Sequence, residues 1–236
     1  DPGAAEKFFI SNAGVPAGEK PRFSQPCARI KPASIPALLA GINSENLIIP
    51  VFRYVSMFTA DIPTAISSAL LVHIVDGFNT GNTGPLFEQA ISSSETVSSY
   101  FEDNQHQLFE LGYNPDYVMT DAKRISTIIK KISLSGSISS AEQIIITEIN
   151  KSLKTPVTRA SVNLPFTLFP FALSIAAYTP DPSGVFLSAA AEGGASSALA
   201  AIAGALACAR HGSCIPPALA EGLVSRKKIL SMIADI

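Results

Sequence analysis

The chain of 236 residues contains no tryptophan, only three cysteines and few charged side chains. Aspartate, glutamate, lysine and arginine make up 15% of it, against about 25% in a typical globular protein. The formal net charge of −2 gives no reason to expect a nucleic-acid partner. An odd number of cysteines argues against a disulfide framework. No apolar run reaches the about 20 residues that a membrane-spanning helix needs, so we expect no membrane span.

Hydrophobic residues, by contrast, make up 47% of the chain. A chain of this length can bury a substantial core as one domain without disulfides or metals. Because so little charge is available to cover its surface, we expect part of that surface to be hidden against protein partners in a larger complex. Residues 1–26 carry four prolines and are predicted to form an extended arm, followed by a single domain over 27–236.

Helical periodicity recurs along the chain, and no segment has the pattern of a strand or an internal repeat. The predicted class is therefore all-α, a compact multi-helix bundle. A break is expected near Ser92–Ser94, Gly77 is expected to end a helix, and Ser139 or Ser140 is expected to cap another. The predicted helices span 34–40, 50–58, 65–75, 85–111 in two pieces, 116–132, 141–153, 164–178, 185–191, 195–209 and 226–234.

The most informative stretch is Glu192–Pro217. Gly193 and Gly194 permit a tight turn, and a run of small residues follows as far as Ala209. Alanine is the best helix former, and Gly212 with the prolines beyond it is a typical helix stop. Since the run has no polar face, we expect this helix to be buried on all sides.

Cys208, His211 and Cys214 form a compact C-x-x-H-x-x-C set at the end of that helix. They could form a metal or redox site, but a structural zinc needs four ligands and no further pair is near in the sequence. We favour the simpler interpretation, in which Cys208 packs in the helix and His211 interacts with the helix dipole. A Cys208–Cys214 bond remains an alternative in an oxidising compartment.

The same stretch resembles the C-terminal signature of the ADP-ribosylglycohydrolase family, in which Gly-Gly-Asp-x-Asp-Thr precedes a series of alanines and glycines and then Ile-Pro. The matching residues are Gly193, Gly194, Ala201, Gly204, Ala205, Cys208, Ala209, Gly212, Ile215 and Pro216. Weaker matches lie upstream, where Arg29 and Pro32 fit a pocket-lining segment and Thr59 and Pro63 fit the start of a long buried helix.

The resemblance implies a hydrolase that binds magnesium through carboxylates and hydroxyls, but the chain departs from that pattern. The two aspartates and the threonine of the signature fall on Ala195, Ser197 and Ala198. Ser196 and Ser197 offer neutral oxygens only, which cannot compensate a buried divalent charge. The chain also contains no Asp-Asp pair, and its adjacent acids Glu102 and Asp103 are expected to be solvated. We therefore expect no metal, no cofactor and no catalytic residue.

Three functions follow from this resemblance, in order of preference. The first is a pseudoenzyme that serves as a structural or interaction subunit. The second is a module that still binds ADP-ribose or another nucleotide without turnover, in a vestigial cleft with Arg29, Gly193, Gly194, Ser196 and Ser197. The third is an active hydrolase with relocated ligands. The initial aspartate leaves the cytoplasm and an organelle as alternative locations.

Overall fold

The computed structural model describes residues 47–56, 61–222, 224, 226–228 and 231. Within these ranges the chain forms helices and no strand, which confirms the all-α class. The predicted arm over 1–26, the helix over 34–40 and most of the helix over 226–234 lie outside the described residues. The α-helices are α1 (Ile48–Ser56), α2 (Ile62–Asn79), α3 (Leu86–Asp103), α4 (Gln105–Glu110), α5 (Pro115–Ile132), α6 (Ile138–Asn150), α7 (Pro165–Tyr178), α8 (Val185–Ala191), α9 (Ser196–His211) and α10 (Pro217–Glu221).

The core is built around α2, which is buried along most of its length, and α7, which is apolar on every side. All residues of α7 from Pro165 to Ala176 are buried, and α7 packs against α2, α3, α5, α6, α8 and α9. Helix α2 packs against α1, α3, α5, α7 and α9. A helix without a polar face is stable only when neighbours cover it all round, and α1, α3, α5, α6, α8 and α9 supply this cover. Among the described residues, no helix is both long enough and apolar enough to cross a membrane.

Helix α2 runs through Gly77 to Asn79, so the predicted stop at Gly77 is wrong. The helix begins at Ile62 rather than at 65: the side chain of Asp61 accepts a hydrogen bond from the Thr64 amide at 2.9 Å, and Pro63 lies in the first turn. Gly77 instead allows a close approach, because a Cβ at this position would overlap the side-chain amide of Gln89 on α3. The glycine therefore serves helix packing rather than helix termination.

The expected break near Ser92–Ser94 is also wrong, since α3 is continuous from Leu86 to Asp103. Ser93 and Ser94 are buried within it and make contacts between helices. The hydroxyl of Ser93 lies 3.0 Å from Nδ1 of His73 on α2, and that of Ser94 lies 3.0 Å from the Ser126 hydroxyl on α5. Serine lowers helix propensity only slightly, and these buried hydrogen bonds offset that loss.

Helix α5 matches its prediction closely and buries Ile125, Ile128, Ile129 and Ile132 on one face. Its lysines face solvent as expected, although two of them also pair with acids of α3. Lys130 lies 2.8 Å from Glu95, and Lys123 lies 3.4 Å from Glu102. Glu102 is therefore solvated but paired, and such exposed ion pairs contribute little stability.

Helix α6 begins one turn earlier than expected and ends at Asn150 rather than near Leu153. Its N-cap is Ser137, whose hydroxyl accepts a hydrogen bond from the Ser140 amide at 3.2 Å. The prediction of Ser139 or Ser140 as the cap was wrong. Three of the four residues at 137–140 are serines, and the sequence alone does not show which of their hydroxyls caps the helix.

Helix α9 ends at Gly212 as predicted, where the backbone turns with a φ of +77°. Its burial is less complete than expected, because Ala201, Ala205 and Ala209 remain partly exposed. The opposite face packs on α2, α7 and α8. Gly204 lies on the face toward α8, where an added Cβ would come within 2.5 Å of the Phe186 ring. The small residues of α9 thus allow a close approach of neighbouring side chains.

Candidate functional site

The candidate site is the turn that leads into α9. Gly193 and Gly194 both adopt the left-handed conformation, with φ of +64° and +57°. A Cβ on Gly194 would overlap the carbonyl oxygen of Ser161 and lie 3.3 Å from its carbonyl carbon. The next amide, that of Ala195, donates a hydrogen bond to the same oxygen at 2.8 Å. Glycine is required at 194 both for the backbone conformation and for this close approach.

The loop before α7 packs against the glycine turn and forms the other side of this site. Ser161 is fully buried, and its hydroxyl donates to the carbonyl oxygen of Glu192 at 3.3 Å. The neighbouring amide of Ala160 donates to a carboxylate oxygen of Glu142 on α6 at 2.9 Å. These bonds hold the turn of α9, the loop and α6 together as one unit.

Three charged side chains influence the site. Arg159 is exposed, and its Nη1 lies 3.9 Å from where a Cβ of Gly193 would be. Burial raises the pKa of Glu192, the charge of Glu142 raises it further, and Arg159 opposes both effects. Arg159 therefore partly compensates the Glu192 carboxylate and places a positive group beside the glycine turn.

Four of the five residues predicted to line a vestigial cleft meet at this turn: Gly193, Gly194, Ser196 and Ser197. Ser197 is exposed and Ser196 is partly buried. The fifth, Arg29, lies outside the described residues. Sequence reasoning missed Arg159 and Ser161, because nothing in the local sequence distinguishes them from ordinary loop residues. In the sequence, the only sign that this loop lies near the core is its position directly before the strongly apolar helix α7.

The residues at the start of α9 do not fit a magnesium ion. The resemblance described above places the family's metal ligands at Ala195, Ser197 and Ala198, which carry two methyl groups and one neutral hydroxyl. Magnesium prefers carboxylate oxygens and bound water in near-octahedral geometry. In the part of the chain that the structure describes, no three histidine, cysteine or acidic side chains come together as a metal site. Cys208, His211 and Cys214 are included in that finding.

A second group of acids lies at the start of α2. Burial raises the pKa of Asp61, although its bonds to Thr64 oppose the shift. Burial also raises the pKa of Asp121 on α5; Arg124 opposes the shift and the charge of Asp61 adds to it. The proximity of Asp61 to Asp121 depends on the packing of α2 against α5, which the sequence alone does not show. The pair can bind a proton more readily than ordinary carboxylates do.

Comparison with known proteins supports one family. The family model described as ADP-ribosylglycohydrolase matches residues 4–236, nearly the whole chain. A search of curated proteins and a search of solved structures each found no match. The helical architecture and the glycine turn before α9 are consistent with the family match. The chain therefore belongs to the ADP-ribosylglycohydrolase family.

Proposed function

We propose that this chain is a non-catalytic member of its family and serves as a structural or interaction subunit of a larger assembly. One observation carries the proposal. The glycine turn packs closely on Ser161, whereas the positions at which the resemblance places the family's metal ligands carry Ala195, Ser197 and Ala198. Close backbone packing stabilises the fold whether or not the protein is an enzyme, so it is retained when a reaction is lost. A magnesium site that serves only the reaction is not retained.

The surface gives this proposal further support. Large apolar side chains are well exposed on several described helices and turns, among them Leu134 (87%), Phe109 (74%) and Leu187 (68%). The low content of charge leaves few groups to separate such side chains. Scattered apolar residues are normal on any protein, so these side chains are consistent with a partner but do not identify one.

The proposal is tested by release of ADP-ribose from an ADP-ribosylated protein, measured with and without magnesium. We expect no release by the native chain. The triple variant A195D/S197D/A198T, which restores the acidic signature, is the matched comparison. If the native chain released ADP-ribose as a magnesium-dependent enzyme does, the proposal would be wrong.

The partner half of the proposal needs a separate measurement. The tagged protein, purified from its native source at low salt, is expected to migrate with larger proteins at a fixed stoichiometry. Analytical ultracentrifugation then gives the mass of that complex. A chain that sediments only as a free monomer in the native extract would contradict the role of a subunit.

A second candidate is a module that binds ADP-ribose or another nucleotide without turnover. Arg159 beside Gly193 favours it, because a guanidinium suits a phosphate group and the start of α9 has no side-chain cap. In calorimetric titrations with ADP-ribose, Arg159→Ala should then weaken binding at least tenfold. Lys154→Ala, an exposed cation of the same loop, is the matched control and should have little effect.

A further inference from the structure

The two cysteines at the end of α9 lie unusually close together. The sulfur atoms of Cys208 and Cys214 are 2.9 Å apart, although both residues are free thiols in this structure. A disulfide bond has a sulfur–sulfur distance of about 2.05 Å. A movement of about 1 Å would therefore bring the two sulfur atoms to bonding distance.

The backbone between the cysteines explains this proximity. Cys208 lies in the last turn and a half of α9, and the helix ends at His211. Gly212 then turns the chain with a φ of +77°, and no atom lies within 4 Å of where its Cβ would be. The turn brings Cys214 against the core and alongside Cys208, and both cysteines stay partly exposed.

We propose that Cys208 and Cys214 form a reversible intramolecular disulfide when the protein meets a disulfide oxidant such as glutathione disulfide. The Cys208 thiolate attacks one sulfur of the oxidant, and the first glutathione leaves as a thiolate. Cys214 then loses its proton and attacks the Cys208 sulfur of the mixed disulfide, which releases the second glutathione. Two protein thiols are oxidised and one glutathione disulfide is reduced to two glutathiones, whose thiolates take up the two protons that Cys208 and Cys214 lose.

The environment of the two sulfurs assigns the order of these steps. Burial, together with the neighbouring Cys208, raises the pKa of the Cys214 thiol to about 12. Cys214 is therefore protonated at neutral pH, and thiols react as thiolates. Cys208 thus makes the first attack. Once its sulfur is part of the mixed disulfide, the hydrogen bond and charge of Cys208 no longer oppose ionisation of Cys214, which loses its proton and resolves the mixed disulfide.

The bond would fix the segment that follows α9. That segment leads into α10 and displays Ile215 and Leu219, each 47% exposed. Oxidation would hold this apolar segment against the end of α9, whereas reduction would leave it held by the turn alone. The site does not depend on the proposed function, because it involves neither the glycine turn at 193–194 nor its ligands.

The test uses the full chain with Cys27→Ser, so that only the two cysteines in question remain. The protein is incubated with glutathione disulfide, alkylated, digested with trypsin without reduction and analysed by mass spectrometry. Cleavage after Arg210 separates the two cysteines, so the bond should join peptide 160–210 to peptide 211–226. We also expect the melting temperature to rise by about 5 °C, because the bond closes a short loop.

Two controls and three contrary results make this experiment decisive. Adding Cys208→Ser or Cys214→Ser should abolish the joined peptides and the rise in melting temperature. Recovery of both peptides as separate alkylated species would overturn the proposal. A stable glutathione adduct on Cys208, or a disulfide between two copies of the chain, would overturn it equally, since both show that Cys214 does not resolve the mixed disulfide within one chain.

Discussion

Replacing Gly194 by alanine should destabilise the protein more than the same change at the neighbouring Gly193. Both glycines have left-handed backbones that differ by only 7° in φ, at +57° and +64°. Their surroundings differ sharply. A Cβ at 194 overlaps the Ser161 carbonyl oxygen, whereas a Cβ at 193 has only the Arg159 guanidinium nearby, at an ordinary 3.9 Å. The pair therefore separates backbone conformation from packing.

The expected magnitudes follow from these contacts. An alanine in the left-handed region costs about 1–2 kcal/mol, which should be the whole effect of Gly193→Ala. At 194 the added methyl group must also push the loop away and break the bond from the Ala195 amide to Ser161, which costs about 1 kcal/mol more. Strain from the displaced backbone adds about 1–3 kcal/mol. Gly194→Ala should thus lose about 3–6 kcal/mol of unfolding free energy.

Urea denaturation followed by circular dichroism measures both values. We expect Gly194→Ala to be clearly less stable than Gly193→Ala. Equal losses for the two variants would refute the role of the Ser161 contact in holding the glycine turn.

Three further predictions concern other parts of the fold. Gly204→Ala should cost about 1–3 kcal/mol, since the new methyl group would displace the Phe186 ring, and thermal unfolding should show a lower midpoint; an unchanged midpoint would mean that the ring moves freely. Tyr178→Phe should cost about 1–2 kcal/mol in urea denaturation, because its hydroxyl donates to the Ile132 carbonyl at 2.8 Å; a loss below the error of the measurement would show that this bond is replaced by water. Burial lowers the pKa of His73 below 6.5, so the unfolded chain takes up the proton first and acid should reduce stability as the pH falls from 6.5 toward the lower folded pKa. His73→Gln should reduce that acid-dependent loss between pH 7.5 and 5, and identical pH profiles for the two proteins would contradict this reasoning.

The sequence predicted best those features that depend on local patterns. The isoleucine spacing of α5, the apolar run of α7 and the stop of α9 at Gly212 each reflect a property of a few consecutive residues. The predictions were wrong where one residue type can serve two structural roles. Gly77 can end a helix or admit the Gln89 side chain, and only the packing of α2 against α3 decides between them.

The candidate site, too, was predicted only where it depends on a local pattern. The glycine turn was visible in the sequence because glycine pairs before a helix carry a conformational meaning. Its partners Arg159 and Ser161 lie more than thirty positions upstream of Gly193 and carry no such signal. The proximity of Asp61 to Asp121 was missed for the same reason, since two helices that are distant in sequence create it.

Isothermal titration of the purified chain with ADP-ribose, in the presence and absence of magnesium, tests the proposed loss of catalysis. Because the start of α9 offers Ala195, Ser197 and Ala198 in place of carboxylates, we expect no binding that depends on magnesium. Binding of equal strength in both conditions would instead support the second candidate, a nucleotide-binding module. Magnesium-dependent binding would contradict the proposal and would mean that the chain retains a functional metal site.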